Sequence, residues 1–126
     1  MGLGILSFFL YQTFSEGISG TSIGKLVCRL SVVQTDARPC TMLGAFKRDL
    51  AYHMDALFFG LIGYESMKKS PLRQRYGDVW ANTVVVRKAA FTANPPHPAW
   101  RIVLGPAIGS LVYVAVLFAY FFLQIR

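Results

Sequence analysis

Apolar residues run unbroken from Ile102 to Leu123, reading IVLGPAIGSLVYVAVLFAYFFL, with no charge among them. The stretch matches the roughly 20 residues with which a helix crosses the hydrocarbon of a bilayer, so a transmembrane helix is predicted here. A buried core helix of a soluble domain is the competing reading, but a chain of 126 residues could hardly cover every side of a helix this apolar. Trp100 and Arg101 at one end, and Gln124 and Arg126 at the other, are residue types that hold helix ends at the membrane interface. Pro106 falls in the first turns, where lost backbone bonding is tolerable. The interior polar groups are Ser110, Tyr113 and Tyr120, so the helix is expected to be an anchor. Gly105 and Gly109, four apart, would supply any close helix contact.

Upstream, the pattern divides into an apolar start (Gly2 to Phe14), a basic polar stretch (Ser15 to Lys47), an apolar segment containing charges (Arg48 to Tyr64) and a second basic stretch (Glu65 to Lys88). The first is little over half the length of a membrane span, so it is expected either to dip partway into the bilayer or to continue a chain that begins further upstream. Met1 to Phe14 has no leading Lys or Arg and is not read as a cleaved signal. Between Lys88 and Trp100 lies a linker in which Asn94-Pro-Pro-His-Pro98 forbids helix and favours an extended run. No internal repeat is present.

Within the basic stretches, Ser22 is placed to N-cap a short helix through Arg29. Leu30-Ser-Val-Val-Gln-Thr35 and Thr83-Val-Val-Val-Arg87 are strand candidates, and Asp36-Ala-Arg-Pro39 has turn chemistry. Neither strand would be stable alone, so the two are expected to pair into a small cytoplasmic sheet. Ser70-Pro71 reads as an N-cap followed by proline at the first helical position, opening a helix towards Tyr76. Gly20, Gly24 and Lys25 superficially suggest a phosphate loop, but three residues rather than four separate the glycines and Leu26 replaces the required Ser or Thr.

The charged apolar segment carries the candidate site. Arg48-Asp-Leu-Ala-Tyr-His-Met-Asp55 leads directly into Ala-Leu-Phe-Phe-Gly-Leu-Ile-Gly-Tyr64, and ionisable groups in a membrane-like helix mark function by default. On a helix Arg48, Tyr52 and Asp55 share a face, and Asp49 and His53 form an adjacent pair one turn apart. Arg48 and Asp55 would both have to stretch to meet, so partners on another helix are equally open to them. The alternative leaves Arg48 and Asp49 at the interface and submerges Asp55 alone in a structural bond. Both flanks of the segment are net basic, which under the positive-inside rule wants both in the cytoplasm. With nine residues between Asp55 and Glu65, a re-entrant hairpin bent near Gly60 and Gly63 is favoured over a single span.

Composition narrows the function. Thirteen basic residues against six acidic give a formal charge of +7, which in a membrane protein reports orientation and a bilayer with anionic headgroups. The basic residues are scattered between apolar stretches, with no aromatic-studded stripe, so a nucleic-acid partner is not expected. Cys28 and Cys40 lack zinc or redox spacing and read as reduced thiols. His53 and His97 fall in unrelated segments, with no Ser/His/Asp or metal-ligand cluster, so neither enzyme activity, a metal nor a cofactor is expected.

Thr21-Ser-Ile-Gly-Lys25, Leu30-Ser-Val-Val33, Arg48 with Asp55, Arg73-Gln-Arg-Tyr-Gly-Asp78 and Thr83-Val-Val-Val86 together resemble, in order and spacing, the RDD family of small membrane proteins over roughly Leu10 to Lys88. The resemblance marks Gly24, Lys25, Arg75, Gly77 and Asp78 as motif residues beside Arg48, Asp49, His53 and Asp55. It implies a multi-pass protein, with ion transport proposed for some members. The family's first membrane helix, with an Arg and an Asp of its own, has no counterpart here, and Asn82 stands where glycine is usual.

The expected architecture is an all-α membrane protein with helical membrane segments, a small cytoplasmic β element and a C-terminal transmembrane helix. Its divisions are a membrane domain (1–88), a Pro-rich linker (89–99) and the C-terminal helix (100–126). The expected location is the bacterial inner membrane. The expected role is cation or proton transport as a homo-oligomer or with a membrane partner, and the alternative is a scaffold whose Arg48 and Asp55 pair with a neighbour's charges.

Overall fold

A computed structural model describes residues 2–91 and 98–125. The chain is mostly helical, in the order α1 (Gly2–Ser19), α2 (Ile23–Val27), β1 (Leu30–Gln34), α3 (Met42–Leu57), α4 (Leu61–Lys69), α5 (Tyr76–Trp80), β2 (Thr83–Arg87), a 3-10 turn (Lys88–Phe91) and α6 (Ala99–Ile125). The proline-rich centre of the expected linker, 92–97, lies outside the described residues.

β1 and β2 pair antiparallel in the register Leu30 with Arg87 through Gln34 with Thr83, so the two predicted strands do form one sheet. Asn82 adopts φ 52°, the left-handed turn a glycine would supply, immediately before β2. Val32 and Val33 are buried, and Val32 joins Cys40 and Ala45 in a small apolar cluster beneath the sheet.

Three local expectations are corrected. α1 runs on through the compositional border at Phe14 to Ser19, and its last serines are accommodated inside the protein, with the Ser19 hydroxyl donating back to Ser15 O at 2.7 Å. α2 stops at Val27 rather than Arg29, since Arg29 turns to φ 55° to enter β1. No helix opens at Ser70. That residue instead closes α4, and Arg73 at φ 50° breaks the run, so α5 begins only at Tyr76.

α6, 27 residues long and with a mean hydropathy of 2.3 over its most apolar 18 residues, is the one helix among the described residues that is long and apolar enough to cross a membrane. It lies along α1, antiparallel to it: Gly105 approaches Ser15 and Ser19, while Gly109 approaches Tyr11. A Cβ on Gly109 would sit 2.8 Å from Tyr11 O, and one on Gly105 would sit 2.8 Å from Ser15 O. The two glycines therefore seat a specific helix pair, which is more than the anchor role expected of this segment.

α3 returns along α1, with Phe46 and His53 both against Phe9 at ring separations of 5.4 Å. It ends in a tight reversal. Phe58 and Gly60 both donate backbone bonds to Asp55 O, at 3.0 Å each, and Gly60 takes φ 76°, a conformation that costs glycine little. The apex is apolar and outward: Phe59 is 95% exposed, and Leu57 and Leu61 are also exposed. α4 and α5 then bring the chain back to the sheet.

The polarity of the whole is inverted. Among the described residues the buried side chains are mainly Ser7, Thr13, Ser15, Glu16, Ser19, Thr21, Asp49, Asp78 and Thr83, while Leu, Ile, Phe and Val side chains of α1, α3 and α6 face outward. In water this arrangement would leave a large contiguous apolar surface unsatisfied, whereas in hydrocarbon it places each kind of group where it is stable.

Candidate functional site

The buried polar groups converge where α1, α2, α3 and α5 meet beside the sheet. Arg48, seven residues into α3, is the hub: its Nη1 donates to Glu16 Oε2 on α1 at 2.7 Å, and its Nε donates to Asp78 Oδ1 on α5 at 2.6 Å. Lys25 on α2 donates its Nζ to the other Glu16 oxygen, Oε1. The carboxylates are nearly covered, with side-chain exposures of 3% for Glu16 and 10% for Asp78, and Arg48 is at 11%. Two cations face two anions, so the cluster is neutral by itself.

Local structure fixes each member. Asp78 sits in the first turn of α5, and its Oδ2 accepts from Arg75 N at 3.2 Å, which orients the carboxylate towards Arg48. Gly77 lets α5 close on α3: a Cβ there would lie 2.8 Å from the Ala51 methyl and 3.2 Å from Arg48 O. Tyr11 holds α2 in place by accepting Ile23 N at its hydroxyl, 3.0 Å away. The Ser15 hydroxyl donates to Thr21 O at 2.8 Å, and the Ser19 hydroxyl oxygen lies 3.0 Å from the same carbonyl.

Of the residues singled out by sequence, Arg48, Lys25 and Asp78 meet here. Arg75 places its guanidinium 5.9 Å from the Tyr52 ring, outside the cluster. Gly24 has open space around it, and nothing in the structure explains its place in the motif. Asp55 is elsewhere: its Oδ1 accepts Gly63 N at 2.8 Å, bonding the reversal after α3 and leaving Arg48 to other partners. The possibility of an Arg48–Asp55 pair is thus corrected; two turns of helix separate the groups, and closer anions arrive from α1 and α5. Asp55 also borders an open apolar recess of about 650 Å³ with Met54, Phe58, Ile62, Tyr76 and Trp80.

Asp49 and His53 lie one turn apart on α3, where it faces α1. Asp49 is buried and its Oδ2 accepts the Thr13 hydroxyl at 2.6 Å. His53 is joined to Asp49 through the backbone, its Nδ1 lying 2.8 Å from Asp49 O. Sequence reasoning missed Glu16, although a signal was present: it is the sole charge within the residues of α1. Among the described residues, no group of three His, Cys, Asp or Glu side chains is placed to hold a metal ion.

Helices that turn apolar side chains outward and enclose a neutral, paired charge cluster define a helical membrane protein. The chain belongs to the RDD family, whose sequence profile matches residues 2–82 and so takes in Glu16, Lys25, Arg48 and Asp78 while leaving β2 and α6 outside. No curated protein and no solved structure matches it.

Proposed function

We propose that this RDD-family protein is a multi-pass, non-enzymatic component of cation or proton transport in the bacterial inner membrane, acting as an oligomer or with a membrane partner. The carrying observation is the inverted polarity of the helices: a polar seam of buried Thr13, Glu16, Asp49 and Thr21, joined by the nearly covered Arg48 side chain, runs inside a sleeve of apolar side chains. A buried seam of this kind at membrane depth is where ion pathways are built. One chain of this size cannot enclose a continuous path, which is why a second copy or a partner belongs to the reading.

In the proposed topology α1, too polar to span by itself, crosses as the antiparallel partner of α6, and the segment from α3 to α4 re-enters. Pairing of β1 with β2 supports this, because hydrogen-bonded strands cannot lie on opposite sides of a bilayer, and a single crossing between them would require that. The exposed apolar tip around Phe59 supports it from the other end, since an apex of this composition is stable in lipid. The net positive charge then faces the cytoplasm with the sheet and meets anionic headgroups.

The scaffold alternative asks Arg48 and Asp55 to pair with charges on a neighbour. Both are satisfied within the chain, which favours transport. Purified protein in liposomes should dissipate a proton or sodium gradient faster than empty liposomes do. Gradients that decay at the empty-liposome rate, with the protein correctly inserted, would remove the transport reading.

A further inference from the structure

Among the described residues, Asp49 is the buried carboxylate between α1 and α3 that no salt bridge answers. It is 5% exposed, and its Oδ2 accepts the Thr13 hydroxyl. The charged and titratable groups around it are Arg48 and His53 on α3, Glu16 on α1 and Lys25 on α2, with Asp78 of α5 behind Arg48. None of them neutralises it. Arg48 commits both Nη1 and Nε to Glu16 and Asp78, Lys25 commits to Glu16, and those four charges already sum to zero. His53 turns Nδ1 to the Asp49 backbone oxygen rather than to its carboxylate.

An ionised Asp49 would therefore add a net negative charge to a buried, apolar-walled interface with a single neutral hydroxyl as partner. Buried charge without a counter-ion is strongly unfavourable and is relieved by taking on a proton or a cation. Phe9 packs on both Phe46 and His53, which lie about one turn before and one turn after Asp49 on α3, so aromatic rings border the carboxylate along this interface. The smallest neutralising ligand is a proton, and a carboxyl group can hold it while still accepting the Thr13 hydroxyl at its carbonyl oxygen.

We propose that Asp49, bonded to Thr13, is a reversible proton-binding site lying between α1 and α3. The step is a proton transfer alone: the carboxyl O–H bond breaks when the proton leaves to water, and forms again when it returns. This deepens the transport reading by naming the proton as the ion and Asp49 as its carrier, with the Arg48 cluster as the fixed framework beside it.

The test is pH-difference infrared spectroscopy of the whole protein in liposomes, following the carboxyl C=O band, with proton flux measured on the same preparation. Wild type should show a titrating carboxyl band that Asp49→Asn removes and Asp55→Asn leaves in place. Thr13→Val, which retains the carboxyl group and loses its hydrogen bond, should move that band to higher frequency. A wild-type spectrum without a titrating band, or a band that Asp49→Asn and Thr13→Val both leave unchanged, overturns the proposal. Should Asp49→Asn fail to fold, the Thr13→Val shift decides alone. The two readings fail separately: a band that depends on Asp49 without flux keeps the proton site and sinks transport, whereas flux without such a band does the reverse.

Discussion

Arg48 and Asp78 stand thirty positions apart in the chain and 2.6 Å apart in space, and with Glu16 they tie α1, α3 and α5 into one buried cluster. Removing one anion leaves an uncompensated buried cation, which costs about 3–5 kcal/mol. Asp78→Asn should lower the unfolding temperature in detergent sharply, and Arg48→Met together with Asp78→Asn should recover much of the loss, because Glu16 then keeps Lys25 as its partner. Asp55→Asn should be mild, about 1 kcal/mol or less, since an amide oxygen can still accept from Gly63 N. A double mutant no better than Asp78→Asn alone would show that the cluster does not hold as a charge-paired unit.

Much of this architecture was legible in the sequence where local chemistry decides the outcome. The β-branched run Thr83–Arg87 forms β2 with the predicted bounds, Asn82 takes the left-handed turn, and Gly60 marks the reversal after α3. The charge cluster was legible only in its members. Helical spacing relates Arg48 to Tyr52 and Asp55, but it says nothing of a carboxylate that returns on another helix thirty positions later. Glu16 was hidden by dividing the chain at Phe14, where hydropathy falls although the helix continues to Ser19. Ser70-Pro71 carries a real N-cap signal, yet the same serine closes α4 with a bond from its N–H to Ser66 O at 2.9 Å. In that contest the preceding helix wins.

The packing of α6 on α1 makes its glycines specific. Gly109→Val should strain against Tyr11 O, and Gly105→Val against Ser15 O, each costing about 1–3 kcal/mol from overpacking. Gly2→Val, with open space around it, should leave stability unchanged. Thermal unfolding in detergent compares the three. Equal, wild-type stability in all of them would return α6 to the role of a replaceable anchor.

The two cysteines should separate by reactivity. Burial pushes the Cys40 thiol up to about 11, partly offset by the Arg48 charge, while Cys28 is exposed. The thiolate is the reactive form, so at neutral pH the native protein should take up one equivalent of a thiol reagent, at Cys28. Because the folded state holds its Cys40 proton where the unfolded chain would release it, this group's contribution to stability is constant below about pH 9. It declines as pH rises from there towards about 11. Mass spectrometry after labelling, native and denatured, checks the first point. Rapid native labelling of Cys40 would place it in contact with water.

Topology gives the last prediction, since the sheet and the apex of the α3–α4 reversal make opposite demands. Cys28 precedes β1 and Arg87 ends β2, so with Arg29 and Lys88 joined by a backbone bond at 2.9 Å these positions lie at the same edge of one sheet. In a Cys28→Ser background, Arg87→Cys should label with an impermeant reagent from the same side of the membrane as Cys28 does in wild type. Phe59→Cys, in that same background, should resist the reagent from both sides if the apex lies in lipid. Inside-out and right-side-out vesicles supply the two exposures. Labelling of Phe59→Cys from the face opposite the sheet would mean that the reversal crosses the bilayer completely, as a two-helix hairpin. Labelling of Arg87→Cys and Cys28 from opposite faces would be incompatible with the β1–β2 pairing itself.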